Sequence, residues 1–322
     1  MIKSGKTIER DFDVCIVGGG MAGLCAAIAS ARNGARTVLI HDRPVLGGNA
    51  SSEDRMWICG AHGKFNKEAG ILEEIQLANQ YLNPSLNYSI WDGVLFGAAQ
   101  FQPGLTTILN GSVFDARMEG DRNAEVTAWQ LTTQTLHMTK STIFVDCSGD
   151  SILAALTPAN YRAGREASGE FDEDIVHEAA DSKTMGNSLL IQFRRTESPK
   201  LFVAPAWAYK FTCPDDLPNR LNGVDGHNFW WIEVGGLSDT IGEAETIRNE
   251  LTRIAYGVVD YIKNYAPEKK RAANWAGEWI GSLPGKRENR RYVGDFTLTQ
   301  SDIAAGLAPT RKAAIAAASL FP

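Results

Sequence analysis

The 322-residue chain is poor in cysteine, in histidine and in uncompensated charge, and each shortage removes a class of function. Its five cysteines, Cys15, Cys25, Cys59, Cys147 and Cys213, are odd in number and include no C-x-x-C pair. That argues against a disulfide framework and against a thiolate metal site. The five histidines add no ligand spacing, so no metal is expected. With 32 Lys and Arg against 38 Asp and Glu, net −6, the chain lacks the basic excess of a phosphate-binding surface, and no nucleic-acid partner is expected. Residues 1–11 lack the apolar core and small-residue cleavage site of a secretion signal, so a reducing, cytoplasmic setting is the expectation. Only residues 14–31, 18 in all without a charge, reach a nominal membrane-spanning length. Gly18, Gly19, Gly20 and Gly23 near the start of that stretch weaken a helix and suit a tight turn, so no span is expected.

What is present suits a globular protein of about two domains: 44% of residues are hydrophobic and 22% charged, enough to bury a core. Residues 12–17, Phe-Asp-Val-Cys-Ile-Val, read as a strand buried on both faces. Gly18-Gly19-Gly20-Met21-Ala22-Gly23 follows as G-x-G-x-x-G, then a helix over 24–33 closed by Gly34 and a second strand over 37–40. In this setting Gly18 turns the chain, Gly20 lets the backbone approach a pyrophosphate, and Gly23 lets helix and strand pack closely. The helix N-terminus, with the N–H groups around Ala22, offers its positive end to the phosphates. A structural glycine-rich turn is the alternative.

The motif places an acid at position 41, about 20 residues beyond the glycines, to bind a ribose hydroxyl. His41 stands there instead, and Asp42, one residue late, is assigned as the ribose ligand; a solvated loop acid is its plainer reading. Arg43-Pro44-Val45-Leu46-Gly47-Gly48-Asn49-Ala50-Ser51-Ser52-Glu53 then supplies a second glycine pair directly after strand two. Ser51-x-x-Asp54 predicts a helix opening just beyond it. The loop resembles that of the FAD-dependent oxidoreductases of the glutathione-reductase-like superfamily, in which it runs along the FAD pyrophosphate and ribityl chain. The resemblance implies FAD contacts for Arg43, Gly48, Asn49, Ser51 and Ser52. A helix over 91–100 and a strand over 105–109 agree with it. So do short β runs over 113–118, 125–131 and 135–138, which resemble the β-meander of such proteins. Residues 142–150, ending in Cys147-Ser148-Gly149-Asp150, resemble an apolar strand closing in the superfamily's A-T-G-D-like turn, which implicates Gly149 and Asp150.

Beyond residue 150 the pattern changes to mixed α+β. Tyr161-Arg162-Ala163-Gly164-Arg165-Glu166, Thr184-Met185-Gly186-Asn187-Ser188, Phe229-Trp230-Trp231-Ile232-Glu233-Val234-Gly235-Gly236 and the stretch Pro284-Gly285-Lys286-Arg287-Glu288-Asn289-Arg290-Arg291-Tyr292-Val293-Gly294-Asp295 come in that order. With the second glycine loop they make the chain resemble, over residues 12–303, the FAD-dependent oxidoreductase family allied to fumarate reductase and succinate dehydrogenase flavoproteins. The fold implied is α/β: a Rossmann-like FAD-binding domain with a β-meander over 1–157, an α+β substrate or cap domain over 158–295, and an atypical alanine-rich tail over 296–322. The tail lacks the closing strand and helix of such flavoproteins, so truncation is the expectation there.

Thr240-x-x-Glu243 predicts a helix start, followed by Ile247, Leu251, Ile254, Val258 and Tyr261 as a core-facing stripe. Of the Trp230–Trp231 pair, one ring is expected inward and one outward. Arg287 and Arg290, with Arg291, have the guanidinium geometry to grip a carboxylate or phosphate, or form a solvated basic turn. His62 and His227 are candidates for proton transfer, or hydrogen-bonded structural histidines. The resemblance implies hydride transfer between a small polar substrate, a sugar or a carboxylate, and flavin N5. The competing readings are a nicotinamide-dependent dehydrogenase and an inactive flavoprotein fragment.

Overall fold

The computed structural model describes residues 5–58, 69–174, 177–217 and 229–304, with the backbone alone for 229–231 and 303–304. By packing, the chain divides into two compact units, Met1–Lys183 with Glu288–Pro322, and Thr184–Arg287. The segments drawn from the sequence overlap these units without coinciding with them.

In the first unit the chain runs β1 (Lys6–Val17), α1 (Met21–Arg32), β2 (Thr37–Ile40), α2 (Ile71–Leu82), α3 (Tyr88–Gln100), β3 (Leu105–Ile108), β4 (Gly111–Glu119), β5 (Arg122–Gln130), β6 (Thr135–Asp146), α4 (Ile152–Leu156), β7 (Tyr161–Arg162) and α5 (Ser168–Phe171). One sheet holds six strands in the order β3-β2-β1-β6-β5-β4. The first four are parallel, and β5 and β4 extend them as an antiparallel meander. Period-two alternation sends neighbouring side chains of β1 and β2 to opposite faces. Ile16 and Leu39 pack with Leu24, Ile28, Ile75, Trp91 and Leu95 of the three helices. Cys15, Val17, Val38 and Ile40 pack instead with Val113, Val126 and Ala128 of the meander and Leu153 of α4. This is the Rossmann-like architecture expected, with the meander covering the face that a crossover helix would otherwise cover.

Two local expectations are corrected. The runs over 135–138 and 142–146 are one strand, β6: its polar middle stays extended because Thr139, Lys140 and Ser141 lie opposite Arg10, Asp11 and Phe12 of β1, while Lys140 also faces Glu125 of β5. No helix opens at Ser51. The chain turns through 51–54, Arg55 takes a left-handed φ of 58°, and Asp54 pairs with Arg43 at 3.5 Å instead of capping a helix.

The second unit holds the antiparallel sheet β10-β8-β9, formed by β8 (Asn187–Arg195), β9 (Phe229–Val234) and β10 (Trp275–Ile280), with α6 (Ala244–Asp260) against it. Ile247, Leu251, Val258 and Tyr261 are buried among Leu189, Ile191, Phe193 and Ile232, with Ile254 at the edge of the cluster, as the stripe predicts. The start of α6 is a correction: Thr240 is buried, and Glu243 instead accepts from the N–H of Asp239 at 3.1 Å. Trp230 and Trp231 lie in β9 opposite Ile191 and Leu190; which way their rings point falls outside the described side chains. The chain returns to the first unit through β11 (Arg291–Tyr292), paired with β7, and α7 (Gln300–Ala304). Among the described residues no helix is long and apolar enough to cross a membrane.

Leu251 has no exposed surface. Truncation to alanine removes its packing and leaves a cavity, so Leu251→Ala is expected to cost about 2–4 kcal/mol in chemical denaturation. A loss below about 1 kcal/mol contradicts this assignment of the second core.

Candidate functional site

Strands β1, β2 and β6 point their C-terminal ends to the same edge, because they are parallel and in register from Val14↔Thr37 to Val17↔Ile40 and from Lys6↔Thr135 to Val17↔Asp146. That edge is where open α/β sheets bind ligands. Three turns meet on it. The first, Gly18–Gly20, leaves β1 at a φ of +102° for Gly18. A Cβ there would sit 2.2 Å from the Cys147 carbonyl oxygen, so the turn after β6 lies directly against it. A Cβ on Gly23 would sit 1.9 Å from the Gly18 carbonyl oxygen, which shows how closely α1 is seated.

Gly20 differs from both. A Cβ there would meet nothing within 4 Å, and Gly20 is the N-cap of α1 with no side-chain cap. The first intrahelical bond is Leu24 N–H to Gly20 O at 2.9 Å, so the N–H groups of Met21, Ala22 and Gly23 precede the helical ladder. The open face beside this helix end has the donors and the dipole for an anion.

The second turn is the loop after β2. It is bound to the first through Gly47 N–H to Gly19 O at 2.8 Å and through the Gly20–Gly47 bridge. Gly47 and Gly48 have φ of +108° and +56°, and Gly48–Ala50 form a single 3₁₀ turn. Helix α3 holds this loop from behind. Asp92 accepts from Ser52 N–H at 2.9 Å, Trp91 Nε1–H donates to Ala50 O at 2.9 Å, and Tyr88 OH donates to Arg55 O at 2.7 Å. Ser51 is buried and accepts from Glu53 N–H. Asn49 sits in the 3₁₀ turn, and its carbonyl accepts from Met56 N–H.

Charge concentrates beside the loop. Arg43 lies 3.5 Å from Asp54 and 3.7 Å from Glu53. Burial pushes the Asp54 carboxyl up to about 7 against the pull of Arg43, and raises Glu53 and Asp92 as well. Asp42 is exposed, while His41 before it is buried and accepts the Gly19 N–H on Nδ1 at 3.0 Å. Burial pushes Cys15 up to about 12 and Cys25 and Cys147 to about 11, so these thiols stay protonated.

The third turn, Cys147–Asp150, is held by Asp146, whose Oδ1 accepts from Ser148 N–H and Oγ–H and whose Oδ2 accepts from Leu153 N–H. Gly149 has φ +80° with open space where a Cβ would be. The segment returning from the second unit closes on this turn. Asn289 donates to Asp150 Oδ1 at 2.9 Å, Arg290 Nη1 to Asp150 O at 3.4 Å, Ser151 Oγ to Arg290 O, and Tyr292 OH to Asp146 at 2.6 Å. The Arg290 guanidinium also lies over the Tyr161 ring.

The structure thus brings together Gly18, Gly20, Ala22, Gly23, Gly48, Asn49, Ser51, Ser52, Gly149 and Asp150, with Asp42 and Arg43 at the end of β2 and Arg290 behind Asp150. Arg287 belongs to the second unit. His62 and His227 lie outside the described residues. Sequence reasoning passed over Asp146, Asn289, Tyr292, Asp92 and Trp91. For Asp146 the signal was present, an acid ending a strand just before Ser-Gly-Asp. For the others it was not, because their partners are remote in sequence. Among the described residues no cluster of His, Cys, Asp and Glu could hold a metal ion.

A model of the family described as FAD dependent oxidoreductase matches residues 13–320. The chain belongs to that family. FAD is therefore its cofactor, and the match runs on past Ile303. The residues present fit such a group: an open helix N-terminus beside Gly20 for a diphosphate, and two glycine turns on which a dinucleotide can lie. No curated protein is similar to the chain at a significant level. Among solved structures, the myxobacterial halogenase CndH is 15% identical, with 89% of this chain and 66% of that one covered and a TM-score of 0.48. A geranylgeranyl bacteriochlorophyll reductase-like protein from Thermoplasma acidophilum is 15% identical, covering 89% and 68%, with a TM-score of 0.44. L-proline dehydrogenase from P. horikoshii is 20% identical, covering 45% and 24%, with a TM-score of 0.29. The chain thus spans from about a quarter to about two thirds of the length of these proteins.

Two glycines and one carboxyl give tests independent of any ligand. Gly23→Ala is expected to destabilise the first unit by about 1–3 kcal/mol, since backbone is what its Cβ would strike, while Gly20→Ala stays within about 1 kcal/mol of the parent. Equal thermal unfolding of both variants contradicts the close seating of α1. For Asp54, the folded carboxyl holds its proton to about 7 whereas the unfolded one loses it near 3.8, so its stabilising contribution is full below 3.8 and is lost as pH rises through 7. Asp54→Asn is free of that loss and is expected to gain about 2–3 kcal/mol on the parent between pH 4.5 and pH 8 in urea unfolding. A constant difference across that range removes the buried carboxyl from the account.

Proposed function

We propose that the chain binds FAD with its diphosphate at the N-terminus of α1 and its length along the loop after β2 and the Cys147–Asp150 turn. The observation that carries this reading is the meeting of three turns on one sheet edge, where Gly20 alone of the motif glycines opens onto free space and α1 begins without a side-chain cap. Gly18 and Gly23 serve by allowing close approach. Gly20, Ala22, Gly48, Asn49, Ser51 and Ser52 present backbone and small polar groups. Gly149 and Asp150 extend the surface, and Arg43 and Arg55 supply cations beside the loop.

When bound, the flavin supplies a hydride acceptor and donor, and the chain belongs to an oxidoreductase acting on a small polar substrate, a sugar or a carboxylate. The chain's own part is binding and orientation. Arg290, tied to Asp150 and stacked on Tyr161, is suited to hold the Cys147–Asp150 turn and to face an anionic group; Arg287, His62 and His227 are further candidates for anion grip and proton transfer. A cytoplasmic setting, and the division into FAD-binding, substrate and tail segments at 157 and 295, belong to the same proposal.

Titration of the 322-residue chain with FAD tests the reading. Quenched flavin fluorescence and a shifted visible spectrum are expected, with NAD and NADP binding at least about tenfold more weakly. Gly20→Ala, whose fold is expected to persist, should weaken FAD binding about tenfold or more. Retention of a nicotinamide dinucleotide with no response to FAD would establish the competing dehydrogenase, and no response to either would leave the inactive fragment.

A further inference from the structure

Helix α3 is apolar on two faces. Trp91, Val94, Leu95 and Ala99 are buried in the core of the first unit, and the helical period puts Ile90, Gly93, Phe96, Gly97 and Gln100 on the opposite side. A helix that is apolar all round is ordinarily covered all round. Here the outer face is open. Ile90 and Phe96 are exposed, and Phe101 at the helix end is 77% exposed. In the turn that leads in from α2, Leu82 is exposed, Tyr81 is 86% exposed and Leu86 72%. A Cβ on Gly93 or on Gly97 would meet nothing within 4 Å, so the helix backbone can be closely approached there. The rings of Phe96 and Phe101 meet edge to face, their centroids 6.1 Å apart, on the same side of the helix. Knob and hollow thus lie next to each other.

Leu86 is presented to solvent at a cost. Its φ is +52°, unusual for leucine, and the turn is fixed by the buried Asn83, whose carbonyl accepts from Leu86 N–H at 3.0 Å and whose side chain accepts from Asn87 N–H at 2.8 Å. A strained residue that is both held in place and exposed points to a contact made elsewhere. At about 200 Å² for each fully exposed large side chain, Tyr81, Leu82, Leu86, Ile90, Phe96 and Phe101 leave roughly 700 Å² open, close to the about 800 Å² that each side of a stable interface covers. None of these residues is charged, nor are Gly93, Gly97 and Gln100 between them. Residues 68–116 contain neither lysine nor arginine. A helix lying on an anionic membrane sets basic residues beside its apolar face, so this composition favours protein over lipid. It also favours a like partner: each copy carries a net charge of −6, and two copies meet at least electrostatic cost across an uncharged face.

We propose that the chain pairs with a second copy of itself through the outer face of α3 and the α2–α3 turn, the Phe96 and Phe101 rings of one copy seated over the Gly93–Gly97 hollow of the other. A knob and a hollow on one helix suit a two-fold interface, in which each patch has to complement itself. The inner face of α3 holds the loop after β2 through Tyr88, Trp91 and Asp92, so pairing braces the helix that positions that loop. The inference goes beyond the FAD-binding reading and stands without it.

Sedimentation equilibrium of the whole chain with FAD present, from about 1 to about 100 μM, tests the pairing. The mass should approach that of two chains within this range. Gly93→Leu and Gly97→Leu fill the hollow where a single copy has room, and leucine favours a helix over glycine, so both should fold as stably as the dissociated parent in thermal unfolding at high dilution. Each should nevertheless raise the dimer dissociation constant about tenfold or more, as should Phe96→Glu. Phe114→Glu, at an exposed phenylalanine of β4, should leave it within about threefold. A parent that stays monomeric at about 100 μM, a dimer that the three α3 substitutions leave intact, or one that Phe114→Glu weakens equally would overturn the inference. A monomer that cosediments with vesicles of phosphatidylcholine and phosphatidylglycerol, and loses that binding in Phe96→Glu, would overturn it in favour of lipid. Pairing without any response to FAD would overturn the proposed function alone.

Discussion

The close approach of α1 to the end of β1 is the constraint on which the rest of the site depends. No side chain fits between Gly23 and the carbonyl of Gly18, and none fits between Gly18 and the Cys147 carbonyl. Backbone therefore touches backbone at both places, and the start of α1, the exit of β1 and the turn after β6 form one rigid surface. Gly47 joins it through Gly19. Since protein interiors are close-packed and transmit displacement, a methyl group at either tight glycine has to move a turn, not a side chain. Gly20 stands in the same row, yet faces free space. Steric crowding on two glycines and openness on the third are what make a groove of a turn.

Holding the loop after β2 is a different problem, because a glycine-rich segment loses much conformational entropy on ordering. Helix α3 offsets that cost with polar anchors from a single helical face: Tyr88, Trp91 and Asp92 reach Arg55, Ala50 and Ser52. The apolar remainder of the same helix, Val94, Leu95 and Ala99, packs in the core beneath the sheet. One element thus ties the loop to the most buried part of the unit. The Cys147–Asp150 turn is held by the analogous device, with Asp146 bonding three groups that follow it and Asn289, Arg290 and Tyr292 closing from a remote segment.

The β1–α1–β2 unit was legible in the sequence because its signals are local: a buried apolar run, three glycines at fixed offsets, and a second apolar run. The meander and the core stripe of α6 were legible for the same reason. The helix expected at Ser51 failed on a tertiary contact, since Asp54 is taken by Arg43 and Arg55 is left-handed, and neither fact is written in the S-x-x-D spacing. The break expected within β6 failed because its polar residues have partners on β1 and β5. His41 and Asp42 show the limit most clearly. At the end of a strand adjacent side chains diverge, and whether position 41 or 42 faces the glycine turn depends on how that turn packs. The approach of Arg290 to Asp150 joins residues 140 apart in sequence, which no local pattern can announce.

Electrostatics at the loop complete the account. By formal charge, Asp42, Glu53, Asp54 and Asp92 outnumber Arg43 and Arg55 beside the loop, a poor setting for a cofactor that carries a diphosphate. Burial changes that balance at Asp54, whose carboxyl it pushes up to about 7, and acts in the same direction on Glu53 and Asp92. The negative charge beside the loop is thus smaller than the sequence count at Asp54, the buried carboxyl beside Arg43. The carboxyl groups also do structural service, since Asp92 accepts from Ser52 N–H and Asp54 from Arg43. The same desolvation acts in the opposite sense on His41, keeping the imidazole neutral so that it can accept from Gly19. Packing the loop against α3 and the sheet edge therefore sets the charge of the site as well as its shape, and both lean toward an anion at the end of α1.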